Sequence, residues 1–190
     1  MRLANDYYTA CKETIRTEFP ELWRDDLTFN GGGSPTINLH KENSPLNDIS
    51  SGSCLVKPTS FDIPTLEAYQ PTCYIATPVL KSFAGTTLPA MESMKAALNL
   101  INSKNRNSYF IYGGFWKADY CYPHGIQQNK IYGASTNQTM LNAPQNAKLE
   151  IDDFVFLRPQ QSEFVFLQFG KLLVIKDKTI IKEWETLKNY

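Results

Sequence analysis

The chain has 190 residues, of which 42% are hydrophobic and 20% charged, so it can bury a core in one or two small domains. The 19 basic residues balance the 19 acidic ones and form no cluster, which argues against nucleic acid or an anionic membrane as a partner. The sequence contains no apolar stretch of membrane-spanning length and no signal-peptide core at its start. We therefore expect a cytoplasmic location.

Cysteine usage argues against metal and disulfide frameworks. The four cysteines are far apart, form no C-x-x-C pair, and have only two histidines to assist them. We expect reduced structural thiols and no metal site. The residues concerned are Cys11, Cys54, Cys73, Cys121, His40 and His124.

The sequence pattern of the N-terminal part is typical of an α/β protein. Its apolar periodicity predicts a helix over residues 5–18, ended by Pro20, and then a strand over 27–29. A short element is predicted at 36–40, a turn at 47–52, and strands at 53–57 and 74–81. Pro78 marks an edge or a bulge in the last of these. A further helix is predicted over 88–101, with Thr87 as its N-cap.

Three consecutive glycines follow the predicted strand at 27–29. Gly31, Gly32 and Gly33 allow close approach of the backbone to a ligand, and successive N–H groups in such a turn form an anion site. Ser34 and Thr36 add hydroxyl donors. The pattern indicates a phosphate site, and the alternative is a flexible glycine turn.

The sequence pattern changes near residue 104, after which it predicts short alternating strands in place of helices and glycine turns. We predict strands at 109–116, 131–133, 153–157, 164–167, 172–175 and 179–184, which is typical of an antiparallel β domain. The aromatic run at 109–116 is either core or part of an interface. The predicted domains are 1–104, the α/β part, and 105–190, the antiparallel β domain.

Four segments, in this order, carry a resemblance to a known family. They are Gly31-Gly-Gly-Ser-Pro-Thr36, Asn47-Asp-Ile-Ser-Ser-Gly-Ser53, residues 152–163, and residues 170–184. The chain resembles the C-terminal portion of alanine racemase-like (fold-type III) pyridoxal-phosphate enzymes, in particular the branch of D-serine dehydratase and D-threonine aldolase. This resemblance implies the last elements of a partial (β/α) barrel followed by a mainly antiparallel β domain.

The resemblance also implies site residues. The Pro-x-His-x-Cys or Pro-x-His-x-Asp motif of that branch, which supplies two metal ligands, aligns with residues 159–163, where Gln161 replaces the histidine. Because an amide oxygen is a weak zinc ligand, we expect no metal. Gln161 and Glu163 become substrate-contact candidates, and Glu163 is alternatively a solvated strand charge. The implied residues for the cofactor phosphate are Gly31, Gly32, Gly33, Ser34, Thr36, Gly52 and Ser53.

The Schiff-base lysine of that family has no counterpart in this sequence. Lys57 and Lys81 lie on predicted strands outside that lysine's sequence context, and we expect both at the surface or at a sheet edge. The expected function is the C-terminal part of an amino-acid racemase, D-amino-acid dehydratase or aldolase, completed by a missing N-terminal barrel half or a homodimer partner. The alternative is a non-catalytic domain that binds a phosphate-bearing metabolite or another protein.

Overall fold

The computed structural model describes residues 1–84, 107–130 and 132–187. Contacts divide the chain into one unit over Met1–Thr72 and another over Cys73–Tyr190. This division differs from the predicted boundary near residue 104, which lies outside the described residues, as do the predicted helix at 88–101 and Ile131.

The first unit begins with helix α1, Arg2–Glu18, which confirms the predicted helix and extends it by one turn. One face of α1 is partly buried at helical spacing, through Asn5, Tyr8, Lys12 and Ile15. The Tyr8 hydroxyl donates to the Asn30 carbonyl at 2.9 Å. These contacts place α1 beside the strand that leads into the glycine turn.

Two very short parallel strands and five 3-10 helices form the rest of the first unit. Strand β1, Asn30–Gly31, pairs with β2, Asp48–Ile49, in parallel. A partial barrel remains a prediction, since this pair is the whole sheet among the described residues of the unit. The 3-10 helices are Pro20–Leu22, Ser34–Leu39, Ser53–Leu55, Thr59–Phe61 and Pro64–Leu66.

Two strand predictions in this unit are wrong. Residues 27–29 precede the strand instead of forming it. Residues 53–57 form a 3-10 helix and a turn, because the amides of Leu55 and Lys57 donate to the carbonyls of Gly52 and Ser53 at 3.0 and 2.9 Å. These local hydrogen bonds override the strand propensity of the apolar side chains.

The second unit is built on a six-stranded sheet in which every neighbouring pair is antiparallel, in the order β5-β8-β3-β4-β7-β6. An antiparallel β domain is therefore present. The strands are β3 Ile75–Ala84, β4 Asn107–Tyr112, β5 Ala118–Tyr122, β6 Gln127–Gln128, β7 Gln138–Ala143 and β8 Phe154–Pro159. A short helix α2, Ser162–Phe166, and a separate hairpin of β9, Lys171–Lys176, with β10, Thr179–Glu185, follow.

Pro78 lies where β3 changes partner. Residues 75–78 pair with β8, whereas β3 pairs with β4 from Val79 onward, and the register shifts between Val79 and Lys81. A proline has no N–H for a ladder, so this exchange point tolerates it within an interior strand. The predicted bulge is confirmed.

The core of the described residues lies mainly in the second unit. Val79, Ile111, Leu141 and Val155 are at most 1% exposed and belong to one cluster. In the first unit, the described buried hydrophobic residues are Cys54 and Leu66. The aromatic run at 109–116 is divided, since Tyr109 is buried whereas Tyr112 and Phe115 are exposed.

Two strand predictions in the second unit are also wrong. Residues 164–167 were expected to form a strand, but they lie in and just after α2, where Ser162 and Val165 are buried one helical turn apart. Tyr132 and Gly133 form a turn, in which Gly133 has φ +70° and its amide donates to the Asn129 carbonyl at 3.1 Å. The hairpin predicted from residues 172–175 and 179–184 is confirmed.

Candidate functional site

The two predicted phosphate-binding segments follow the two parallel strands. Asn30 pairs with Asp48 and Gly31 with Ile49. Because parallel strands end at the same edge of a sheet, the glycine turn after β1 and the loop at residues 50–53 after β2 lie side by side. The crevice at the carboxyl ends of parallel strands is the usual ligand position in open α/β sheets.

Hydrogen bonds hold these two loops together. The Ser34 hydroxyl is buried and accepts a hydrogen bond from the Cys54 amide at 3.0 Å. The Ser50 amide donates to the Gly31 carbonyl at 3.0 Å. Asn30 adds a side-chain bond to the Ser50 hydroxyl at 2.7 Å. The structure thus brings together segments that are about twenty residues apart in sequence.

The glycines of the site serve two different purposes. Gly32 has φ +96°, and a Cβ there would lie 2.9 Å from Ile49 Cγ2; a Cβ at Gly31 would lie 2.9 Å from Leu46 Cδ1. The fold therefore needs Gly32, whereas at Gly31 the contacting atom is the end of a flexible side chain that can move. In contrast, a Cβ at Gly52 would have no atom within 4 Å, so this backbone is open to a ligand.

Three backbone amides of the two loops are candidate donors for an anion. The amides of Gly33, Ser34 and Gly52 donate no hydrogen bond to any described residue. Both donors of Thr36 are already used within the turn, because its hydroxyl and its amide donate to the Gly33 carbonyl, at 3.2 and 3.0 Å. The set of free amides fits a phosphate group better than the hydroxyls do.

His40 borders the glycine turn and was not predicted as a site residue. Its Nε2 is buried without a hydrogen-bond partner among the described residues and lies 3.4 Å from the position of a Gly32 Cβ. Nδ1 lies 3.4 Å from the Ser44 hydroxyl. An unpaired buried imidazole nitrogen is costly, which makes this ring a further polar group beside the turn.

Gln161 and Glu163 lie in the second unit, at the start of α2. The Lys117 amine donates to Gln161 Oε1 at 2.6 Å, and the Ser162 hydroxyl donates to Glu163 Oε2 at 3.0 Å. The alternative that Glu163 is a solvated strand charge is wrong only in the element, because residue 163 is exposed but lies in a helix. No group of three His, Cys, Asp or Glu side chains that could hold a metal ion occurs in residues 1–84, 107–130 and 132–187.

The two lysines considered from the sequence differ in their surroundings. Lys57 is 8% exposed, and its amine donates to the Tyr69 carbonyl at 2.8 Å. The expectation that it lies at the surface is therefore wrong. Its backbone, at φ +43°, is in the left-handed region, as the turn after the Gly52-Ser53 loop requires. Lys81 is exposed on β3.

Burial perturbs two ionisable groups on β5. It raises the pKa of Tyr120 to about 12. It also raises the pKa of the Cys121 thiol, an effect that the nearby Arg158 charge opposes. Both shifts favour the neutral form, so neither residue is activated as a nucleophile.

In the part of the chain that the structure describes, no helix is long and apolar enough to span a membrane.

Comparison with known proteins identifies a structural similarity only. No protein-family model matches the sequence, and no curated protein is significantly similar to it. Among solved structures, the chain is similar to D-threonine aldolase from Filomicrobium marinum, with a TM-score of 0.66 at 11% sequence identity. The match covers 96% of this chain and 46% of that aldolase. The chain therefore has the fold of about half of a D-threonine aldolase.

Proposed function

We propose that the first unit binds the phosphate group of pyridoxal phosphate between residues 31–34 and residues 50–53, which we call the phosphate cradle. The observation that carries this proposal is that the two loops meet at the carboxyl ends of β1 and β2, while the amides of Gly33, Ser34 and Gly52 donate to no described residue. Backbone amides that surround an anion bind a phosphate without needing a cationic side chain. The Ser34 to Cys54 hydrogen bond keeps the two halves of the cradle in register.

The proposed enzyme class is a fold-type III pyridoxal-phosphate enzyme that acts on amino acids as a racemase, a D-amino-acid dehydratase or an aldolase. The similarity to D-threonine aldolase supports this class. When bound, pyridoxal phosphate supplies an electron sink for the carbanion at the α-carbon of the amino acid. The part of this chain is to anchor the phosphate and so to fix the position of the ring. We assign no catalytic residue, because the Lys57 amine is bonded to the Tyr69 carbonyl.

The remaining elements of the active site would come from outside this chain. Its match spans 46% of the length of the aldolase, so we propose that an N-terminal barrel half or a second copy of the chain completes the site. An amino acid is the proposed substrate. Gln161 and Glu163 are the proposed contacts to it, and their side chains accept hydrogen bonds from the Lys117 amine and the Ser162 hydroxyl.

The alternative is a non-catalytic domain that binds a phosphate-bearing metabolite. It is favoured by one observation, since the three free amides recognise phosphate and would accept any phosphate ester. Titration with pyridoxal phosphate and with unrelated phosphate esters separates the two. Preference for pyridoxal phosphate supports the enzyme, whereas equal affinity for all esters supports the alternative.

Calorimetric titration of the full chain tests the phosphate cradle. We expect pyridoxal phosphate to bind and pyridoxal, which lacks the phosphate, to bind at least tenfold more weakly, about the effect of 1.4 kcal/mol. Gly52→Val should abolish this preference, because a side chain there would occupy the open space beside the Gly52 backbone that the phosphate is proposed to fill. The backbone at Gly52 has φ −132° and ψ −70°, outside the broad β and right-handed α regions, so urea unfolding of Gly52→Val is measured beside the titration to show that the fold is retained.

Gly170→Val is the matched control. Gly170 also has no atom within 4 Å of a built Cβ, but it lies in the second unit, just before β9. Gly32→Val is not informative, since its side chain would collide with Ile49 and perturb the fold itself. Equal binding of pyridoxal phosphate and pyridoxal, or binding of neither, would rule out the cradle.

A further inference from the structure

The second unit contains a cleft of about 600 Å³, formed entirely by its own residues. This volume is within the usual range of small-molecule sites. The cleft lies between the loop after β5, the connection from β7 to β8, and the first half of β8. The residues that the argument uses are Tyr122, His124, Lys148, Asp153, Phe154 and Phe156.

One wall of the cleft is aromatic. The Phe156 ring centroid lies 6.2 Å from that of Tyr122 and 6.5 Å from that of Phe154. Tyr122 is also in edge contact with the His124 ring, at 6.2 Å and 77°. Tyr122 is 55% exposed and Phe154 is 50% exposed, so both rings present apolar surface to the cleft instead of filling the core. A contiguous exposed aromatic patch is typical of a binding site.

The polar side chains of the cleft differ in whether they have a partner. Lys148 makes no hydrogen bond or ion pair with the described residues, and the contact of His124 among them is its edge contact with Tyr122. The one acidic side chain of the lining, Asp153, keeps its charge but has a donor of its own, because its Oδ2 accepts a hydrogen bond from the Glu150 amide at 2.8 Å. Lys148 is the charged side chain of the cleft without a partner among the described residues, and its amine suits an anionic group.

We propose that this cleft binds a small planar aromatic anion, with its ring against Tyr122, Phe154 and Phe156 and its anionic group near Lys148 and His124. Aromatic rings pack well in offset or edge-to-face arrangements at these centroid distances. A flat ring with one carboxylate or phosphate matches both the apolar wall and the Lys148 amine. The site goes beyond the phosphate cradle and shares no residue with it.

Titration of the full chain with 4-hydroxyphenylacetate, followed by calorimetry, tests the proposal. Two probes of matched shape isolate its two elements. In 4-hydroxyphenethyl alcohol the carboxylate is replaced by a neutral group, and in trans-4-hydroxycyclohexylacetate the ring keeps its hydroxyl but is no longer aromatic. We expect saturable binding of 4-hydroxyphenylacetate and about threefold weaker binding of each of the other two, the effect typical of one exposed ion pair or ring contact.

Variants assign the binding to the cleft. Lys148→Gln should weaken 4-hydroxyphenylacetate about threefold and leave the alcohol unchanged, whereas Lys176→Gln, an exposed lysine on β9, should change neither. The imidazole signals of His124 should shift on titration. Gly52→Val should have no effect on this binding. Failure of the cleft proposal can therefore be told apart from failure of the phosphate cradle. Absence of saturable binding, equal binding of the three probes, or equal effects of Lys148→Gln and Lys176→Gln would overturn the proposal.

Discussion

Ser34→Ala tests whether the two loops of the phosphate cradle are held together as the structure indicates. The Ser34 hydroxyl is buried and accepts a hydrogen bond from the Cys54 amide at 3.0 Å, and Cys54 itself is fully buried. Alanine removes the acceptor and leaves a buried N–H without a partner, which costs about 1–3 kcal/mol. This is a large share of the free energy of unfolding of a small domain, about 5–15 kcal/mol.

Urea unfolding and hydrogen exchange measure this effect. We expect a lower urea midpoint for Ser34→Ala, and faster exchange of the Cys54 amide than in the natural sequence. Ser135→Ala is the control, since the Ser135 hydroxyl also makes one hydrogen bond, to Asn137 Oδ1 at 3.0 Å, but at an exposed position. That change should stay within about 0.5 kcal/mol. Equal destabilisation by the two variants, or an unchanged Cys54 exchange rate, would refute the reasoning.

Three further predictions concern stability. Because burial raises the pKa of Tyr120 to about 12, above the ordinary value of about 10, folding keeps the phenol protonated. The free energy of unfolding should then fall as the pH rises from about 10 to about 12, and Tyr120→Phe should remove the last tyrosinate absorbance change; an unchanged absorbance titration would contradict this. Amide exchange should be slower in β3, β4, β7 and β8 than in residues 1–72, because the buried apolar side chains lie mainly in the second unit; uniform protection would argue against this difference in core. Micromolar zinc should not raise the melting temperature, since Gln161 stands where the enzyme branch that the sequence resembles has a metal-binding histidine; a saturable rise lost on Glu163→Ala would disprove it.

The elements that the sequence predicts well are those with a regular apolar pattern. Helix α1 shows helical spacing of its partly buried residues, and β8 to β10 are rich in β-branched and aromatic residues. Strand β7 was not predicted, because its sequence contains several polar residues and no regular apolar alternation. Its Asn142 is buried through hydrogen bonds with Asn129 at 2.7 Å and with Ser108 at 3.1 Å. Because these partners are 13 and 34 residues away in sequence, a pattern read over a short stretch of sequence cannot identify them.

The candidate site was likewise predictable from the sequence only in part. The glycine turn and the Gly-Ser loop were identifiable, because their residue types and their order resemble a known family. Their convergence on the parallel pair of β1 and β2 depends on long-range pairing that no local pattern specifies. His40 was not identified either, since its proximity to Gly32 arises from the path of the chain after the 3-10 helix at Ser34–Leu39.

The central claim is that the amides of Gly33, Ser34 and Gly52 bind the phosphate of pyridoxal phosphate. Amide chemical shifts measured by NMR during titration of the full chain test it most directly. We predict that these three amides shift together, with pyridoxal phosphate and with inorganic phosphate, and stay unshifted with pyridoxal. Shifts confined to other residues, or equal shifts with pyridoxal and pyridoxal phosphate, would contradict the claim.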